Sequence, residues 1–217
     1  MANAMDAMLA RDFQPAVKAL GFRRTGRTYR LGAKGQDQGV INLQGSSGSG
    51  FGATIFYVNL ALMPRIWLEF GSWFSNSALK DDPDEVFGVL RNRLLAPIDV
   101  AARSRGDSLT GIPSQQWRFS NDEEAEHCGR RLTMLVERDV APLLDELRDP
   151  VKLLDFVVRP EAERGVFREI EPGPEVLTAV LLADSGPSER VDSALKKLRL
   201  QGIDRVVEWV EMRLSRT

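Results

Sequence analysis

Residues Ala53–Met63 read ATIFYVNLALM, and the alternation within this stretch decides the fold class. Successive side chains of a β-strand point to opposite faces of the sheet, so every second residue shares a face. One face of this strand would carry four apolar side chains, those of Phe56, Val58, Leu60 and Leu62. The other face would carry Tyr57 and Asn59. The stretch therefore predicts a strand with one core face and one polar face.

Two further strand-like runs precede it, Phe22–Leu31 and Gly39–Gln44. The polar, glycine-rich loops GAKGQDQG and GSSGSGFG separate the three runs, and such loops join antiparallel neighbours. The second run also alternates, with the apolar residues Ile41 and Leu43 and the polar residues Asn42 and Gln44. We therefore predict an antiparallel meander. The arginine-rich first strand is expected at its edge, because charge on an edge strand blocks pairing with other chains.

The segment Ala4–Leu20 has the apolar spacing of a helix. Its apolar residues recur at intervals of three and four, and they are Met5, Met8, Leu9, Phe13, Ala16, Val17 and Leu20. This period is typical of a helix with one buried face. Gly21 is a natural stop, and Pro15 predicts a break or kink. We expect the helix to pack on the sheet through Ile41, Leu43, Phe56, Val58 and Leu60.

The middle of the chain predicts two more strands and two helices. The aromatic stretch Arg65–Phe74 and the alternating stretch Ser114–Ser120 are interpreted as the fourth and fifth strands. The sequences DPDE at Asp82–Glu85 and SNDE at Ser120–Glu123 have the spacing of capping boxes, so each predicts the start of a helix.

From Val140 onward the apolar spacing is helical. The joint EIEPGP, Glu169–Pro174, predicts a boundary because glycine and proline interrupt helices. We therefore predict an α+β domain over residues 1–170 and a helical C-terminal extension of three short helices over residues 171–217. The fold class is α+β, with the N-terminal helix packed on an antiparallel meander of about five strands and with a helical tail.

Composition limits the class of protein. The net charge of −2 argues against a general nucleic-acid binder, which usually has a basic excess. The only cysteine, Cys128, excludes an intramolecular disulfide and fits the reducing cytoplasm. The N-terminus MANAMDAMLARDF lacks the features of a signal peptide, and no apolar run approaches the roughly 20 residues of a membrane span. We therefore expect a cytoplasmic protein with no membrane partner.

Motifs for catalysis or metal binding are weak. The glycine-rich stretch Gly45–Gly52 runs into a strand and lacks the Gly-Lys-Ser/Thr of a phosphate-binding loop, so it predicts a hairpin loop. His127 is the only histidine. Its neighbour Cys128 would point about 100° away from it on a helix, which argues against a Cys–His dyad. We predict no catalytic residue, no cofactor and no metal site.

The polar face predicted for the sheet gathers residue types that hold anions or peptide groups. The candidate ligand-binding residues are Arg24, Arg30, Asn42, Gln44, Tyr57 and Asn59. Guanidinium groups bind carboxylates and phosphates, and amides and phenols exchange hydrogen bonds with peptide groups. The same residues are typical of a sheet face that is only solvated, with arginines guarding the edge. The sequence leaves both interpretations open.

Four stretches of the chain resemble a bacterial family described as domain of unknown function 4304. They are LGFRRTGRTYR (Leu20–Arg30), VINLQGSS (Val40–Ser47), FYVNLAL (Phe56–Leu62) and DVAPLLDELRDPVKLLDFV (Asp139–Val157). The similarity extends over roughly residues 9–158. Ala61 departs from it, since the family tends to have glycine there. The resemblance implies an α+β domain and brings no established activity, cofactor or catalytic residue.

The function is therefore open between two classes. The leading hypothesis is a non-catalytic, cytosolic binding or protein-interaction module that uses the polar, arginine-containing sheet face. Its partner would be another protein or a small anionic ligand. The alternative is an enzyme that acts on an anionic small molecule or a nucleic acid, with arginines holding the substrate and Glu69 or Asp107 as the base.

Overall fold

The computed structural model describes residues 4–49, 52–101, 116–167 and 172–216. Its strands are β1 (Arg23–Thr25), β2 (Thr28–Leu31), β3 (Gln38–Gly45), β4 (Thr54–Met63), β5 (Leu90–Arg93) and β6 (Trp117–Phe119). Its helices are α1 (Ala4–Met8), α2 (Gln14–Ala19), α3 (Arg65–Ser75), α4 (Asp122–Leu135), α5 (Ala141–Glu146), α6 (Pro150–Val157), α7 (Pro174–Leu181), α8 (Glu189–Leu200) and α9 (Asp204–Leu214). Shorter turns are π-helical at Leu9–Phe13 and Val136–Val140 and 3-10 at Glu85–Phe87, Glu161–Glu163 and Ala183–Ser185.

The strands form one antiparallel sheet in the order β1-β2-β3-β4-β5, and β6 also pairs with β4. The predicted α+β fold, with an N-terminal helix, an antiparallel meander and C-terminal helices, is confirmed. The strand predicted over Phe22–Leu31 is instead a hairpin of β1 and β2. Its turn is Gly26–Arg27, with Gly26 at a φ of +61°. Glycine reaches this left-handed region without steric strain, and tight hairpin turns need it there.

The apolar face of β3 and β4 forms core, as the alternation predicts. Ile41, Leu43, Phe56, Val58 and Leu60 are all buried. The ring of Phe56 lies 6.1 Å from the ring of Trp117, centroid to centroid. The indole N–H of Trp117 donates to the carbonyl of Leu94 over 3.0 Å, which satisfies the one polar atom of this buried side chain.

The predicted N-terminal helix is present as α1 and α2, joined by the π-helical turn Leu9–Phe13. Pro15 lies in the first turn of α2, directly after the π turn. A proline ring clashes with the carbonyl four residues earlier in a regular α-helix, so the irregular turn lies where the sequence predicts a disturbance. The ring of Phe13 meets the ring of Tyr29 edge-on at 5.0 Å, which packs this helix on the sheet.

The fourth predicted strand, Arg65–Phe74, is wrong, because these residues form the helix α3. Pro64 ends β4 in an extended conformation, and the carboxylate of Asp37 accepts the backbone N–H of Arg65 over 2.6 Å at the start of the helix. The apolar residues of this stretch also recur at helical intervals: Trp67, Phe70 and Phe74 are three and four residues apart. Short aromatic stretches suit both structures, and the capped start favours the helix.

The helix predicted from Asp82–Glu85 is also wrong. A single 3-10 turn, Glu85–Phe87, is followed by β5. The backbone N–H of Val89 donates to Leu62, which extends the sheet beyond β4. Val89, Leu90 and Leu94, which have the spacing of a helical stripe, are buried at and beside β5, whereas Val86 lies in the 3-10 turn and is 58% exposed. In this segment, pairing with β4 determines the structure, although the sequence DPDE has the spacing of a helix cap.

The fifth predicted strand and the helix after it are present with shifted bounds. Residues 114 and 115 of the predicted strand lie outside the described residues, and β6 covers Trp117–Phe119. The cap of α4 is Asn121, whose side-chain oxygen accepts the N–H of Glu124 over 2.8 Å. The carboxylate of Glu124 in turn accepts the N–H of Ser120 over 2.7 Å. The cap is therefore one residue later than predicted, and the carboxylate of Glu124 bonds the residue before the cap rather than the cap itself, as a capping box would require.

The chain divides into two compact units. The first comprises Met1–Gly32, Gly39–Ala61 and Asn92–Asp145, and the second comprises Ala33–Gln38, Leu62–Arg91 and Glu146–Thr217. In the second unit, Phe70 of α3 meets Trp209 of α9 edge-on at 5.3 Å. The predicted division into residues 1–170 and 171–217 stays a prediction, since compactness does not test which part folds alone. Among the described residues, no helix combines the length and the apolar composition needed to cross a bilayer.

Candidate binding surfaces

Four of the predicted ligand-binding residues meet on one face of the sheet. We call the set Thr28, Asn42, Gln44, Tyr57 and Asn59 the amide face. The side-chain amide of Asn42 donates to the hydroxyl of Thr28 over 2.9 Å. The amide of Asn59 donates to Gln44 over 3.2 Å and lies 3.5 Å from the oxygen of Asn42. The face is therefore a hydrogen-bonded row of amides across β2, β3 and β4, and Gln44 is exposed to solvent at its end.

Tyr57, two residues before Asn59 on β4, contacts two residues that the sequence did not indicate. Its hydroxyl accepts the side-chain amide of Gln116 over 2.5 Å. The guanidinium of Arg93 lies over its ring at 4.1 Å from the centroid, which is the geometry of a cation–π contact. Arg93 comes from β5, which the sequence predicts as helix, and Gln116 is far away along the chain. Only strand pairing brings both to Tyr57.

The two predicted arginines do not lie on the amide face as accessible groups. Arg24 pairs across the hairpin with Tyr29, whose ring is packed against Phe13, so Arg24 is on the opposite face. Its guanidinium donates to the carbonyl of Gly26 over 2.6 Å. Arg30 is on the amide-face side but has only 5% of its surface exposed. The tight turn at Gly26 is the physical reason, because it pairs Arg23, rather than Arg24, with Arg30.

The arginine of the hairpin turn has a structural partner. Arg27 forms a two-pronged contact with Asp6, with distances of 2.7 Å and 2.9 Å. The hydrogen bond from Arg27 is the main cause that lowers the pKa of Asp6 below its usual range. Among the arginines of this basic stretch, Arg27 therefore ties the hairpin to α1.

A second polar surface surrounds His127. Its ring nitrogen lies 2.7 Å from the carboxylate of Asp99, and Arg131 lies 3.0 Å from the same carboxylate. Burial acts to raise the pKa of Asp99, but hydrogen bonds from His127, its own backbone and Arg131 outweigh it, so the pKa lies below the usual range. A cleft of about 940 Å³ borders this group and is also lined by Arg118 and Glu123. The sequence did not indicate Asp99 as the partner of His127.

Cys128 does not take part in this cleft chemistry. Its side chain is fully buried, and burial raises the pKa of the thiol from 9.0 to about 12. A nucleophilic cysteine needs the thiolate, so this thiol is unsuited to the task. The described residues contain no group of three or more His, Cys, Asp or Glu side chains placed to hold a metal ion.

Of the two carboxylates named for the enzyme alternative, the structure describes Glu69, and it does not lie on the amide face. Glu69 belongs to the second unit, where it bonds Arg65 at 3.0 Å and Arg213 at 3.1 Å. Asp107 lies outside the described residues. Glu69 is therefore part of a network of ion pairs with two arginines, which is typical of a structural role.

Comparison with protein-family models gives one match. The model described as Domain of unknown function (DUF4304) matches residues 13–146, which is more than half of the chain. The protein belongs to the DUF4304 family. All residues of the amide face, together with Arg93 and Gln116, lie within the matched part of this DUF4304 protein. No curated protein and no solved structure shows a significant match to it.

Proposed function

We propose that this DUF4304 protein is a non-catalytic binding module that holds an acidic segment of a protein partner on its amide face. The observation that carries the proposal is the guanidinium of Arg93 stacked on Tyr57 beside the row of amides. A stacked guanidinium keeps its planar fork in a fixed orientation, which favours bidentate contact with a carboxylate. The five amide-face residues and Arg93 include no acidic side chain.

The amides would supply the contacts to the backbone of the bound segment. A side-chain amide has two N–H donors and two acceptor positions, so the bonds within the row leave capacity for a peptide group. Asn42 and Asn59 are half-buried and Gln44 is exposed, which places them at the surface in a fixed arrangement. Ordered polar groups lose little conformational entropy on binding, and this supports the face as a recognition surface.

The proposed location is the cytoplasm of a bacterium. The chain has one cysteine, and that cysteine is buried and free. A cytoplasmic protein has no need of disulfides, because the compartment is reducing. The bacterial origin is supported by the family resemblance alone.

The enzyme alternative is favoured by one observation, the pair of Asp99 and His127 beside the cleft. A carboxylate that orients a histidine is the usual arrangement of a general base. The substrate would again be anionic, since Arg118 and Arg131 lie at the same site. The two classes therefore use different surfaces and can be tested separately.

Calorimetric titration with an acetylated hexaglutamate peptide tests the binding module. Charge-assisted hydrogen bonds contribute about 1.5–3 kcal/mol, so Arg93→Gln should weaken binding by at least about tenfold. Arg130→Gln is the matched control: Arg130 is an exposed arginine of α4 whose removal should leave the affinity unchanged. Equal loss in both variants would indicate only a general charge effect and would contradict the proposal. A loss on His127→Gln instead would favour the alternative surface.

A further inference from the structure

The second unit contains an apolar groove that the proposed function does not use. It lies along α3 and the segment that follows, and its volume is about 750 Å³. Pockets for small organic ligands have volumes of about 300–1,000 Å³. We call this cavity the α3 groove.

Aromatic and aliphatic side chains form its walls. On α3, the rings of Trp67, Phe70 and Phe74 follow each other with centroid distances of 5.5 Å and 5.6 Å. The facing wall carries Val86 and Phe87, which are 58% and 52% exposed. Large apolar side chains that converge while exposed are typical of a binding site, because scattered exposure is the ordinary pattern of a surface.

The floor of the groove includes a glycine in the middle of α3. A Cβ atom placed on Gly71 would meet no atom within 4 Å. A glycine inside a helix is destabilising relative to alanine, so its presence at an open position has no packing reason. The missing side chain lets a bound molecule lie against the helix backbone between Trp67 and Phe74.

Two charged residues are described along the groove, Lys80 and Arg91, and both are cationic. Lys80 is exposed to solvent. Of the residues that the structure describes, no acidic one lines the groove. The charge complement of such a site is a single anionic group attached to an apolar body.

We propose that the α3 groove binds a small amphipathic carboxylate, with an unbranched alkyl chain along the aromatic wall and the carboxylate at Lys80 and Arg91. The alkyl chain would contact Phe70 and Phe74 and cross over Gly71. This site is in the second unit and is independent of the amide face. An apolar ligand of this kind gains affinity from the area that it removes from water and its orientation from the charged head.

The experiment uses dodecanoate as the probe and the full chain, with binding measured by calorimetry. Gly71→Phe fills the floor and should weaken binding by more than about tenfold, because the apolar contact area is lost. Gly71→Ala adds only one methyl group where the space is open, so it is the matched control and should bind nearly as well as the unchanged protein. Far-UV circular dichroism of both variants checks that the helix is retained.

The head group is tested with 1-dodecanol and with Lys80→Gln. The unchanged protein should prefer dodecanoate to 1-dodecanol by about tenfold, and Lys80→Gln should reduce that preference. Three results would overturn the proposal: no binding of dodecanoate at about 1 mM, equal binding by Gly71→Phe and Gly71→Ala, or equal affinity for the acid and the alcohol. The hexaglutamate titration does not depend on any of these results.

Discussion

Replacing Gly129 with alanine tests a close approach between α4 and the π-helical turn Leu9–Phe13 in the first unit. Gly129 lies in the middle of α4, and a Cβ atom there would be 2.6 Å from the Cβ of Asp12 and 3.0 Å from its Cγ. Contacts this short do not occur between real Cβ atoms. The Cβ of Asp12 is fixed to the backbone, so the clash cannot be relieved by rotating a side chain, and the two helical segments must separate.

The size of the effect follows from two opposing terms. Alanine is favoured over glycine inside a helix by about 1 kcal/mol, which would stabilise the variant. Overpacking a close contact destabilises by about 1–3 kcal/mol, and a clash with a backbone-bound atom belongs at the upper end. We therefore expect Gly129→Ala to reduce the free energy of unfolding by about 1–2 kcal/mol.

Gly71→Ala is the matched control, because it makes the same change inside a helix at an open position. It should raise the free energy of unfolding by up to about 1 kcal/mol. Urea unfolding followed by circular dichroism measures both, with the free energies taken from linear extrapolation. In the background of Asp12→Gly, the Gly129→Ala change should lose its penalty, since the clashing atom is gone. A Gly129→Ala protein as stable as the unchanged one would refute the close approach of α4 to the N-terminal helix.

Three further predictions concern the core, the thiol and the ion pair of the first unit. Phe56→Ala should lower the free energy of unfolding by about 3–5 kcal/mol in the same urea assay, because Phe56 is fully buried. Cys128 should react with a thiol reagent only when urea unfolds the protein, and labelling of the native thiol at the rate of a free peptide at pH 8 would contradict this. The free energy of unfolding should fall as the pH rises from 9.0 toward 12, because the thiol of the unfolded chain loses its proton at a lower pH than the buried thiol. Arg27→Gln should lower the free energy of unfolding by less than about 1 kcal/mol, because Asp6 is partly exposed. This difference between the two proteins should shrink as the pH falls through the lowered pKa of Asp6, because the protonated carboxyl no longer pairs with Arg27.

The sequence was sufficient to predict the structure where a strand or helix buries one face. The alternation of β3 and β4 fixed which residues enter the core, because a shift of register by one residue would reverse every side chain. The residues Asn42, Gln44, Tyr57 and Asn59 fell on one face for the same reason. Local pattern and tertiary packing agree in this part of the chain.

The sequence was insufficient to predict the structure where a short stretch fits both a strand and a helix, or where a turn changes which residues pair across strands. The apolar spacing of Arg65–Phe74 fits both a strand and a helix. The helix begins where the backbone N–H of Arg65 donates a hydrogen bond to Asp37, which is distant along the chain. Gly26 divides the first strand into a hairpin and thereby moves Arg24 to the other face. Arg93 reaches Tyr57 only through the pairing of strands, which no local pattern encodes.

The most direct test of the proposed function is a titration of ¹⁵N-labelled protein with the hexaglutamate peptide, followed by the side-chain amide signals in NMR spectra. The signals of Asn42, Asn59 and Gln44 should shift together and saturate, and the guanidinium signal of Arg93 should shift with them. In Arg93→Gln the same amide signals should move far less at equal peptide concentration. Shifts confined to the surroundings of His127, or no saturable shift on the amide face, would contradict the account.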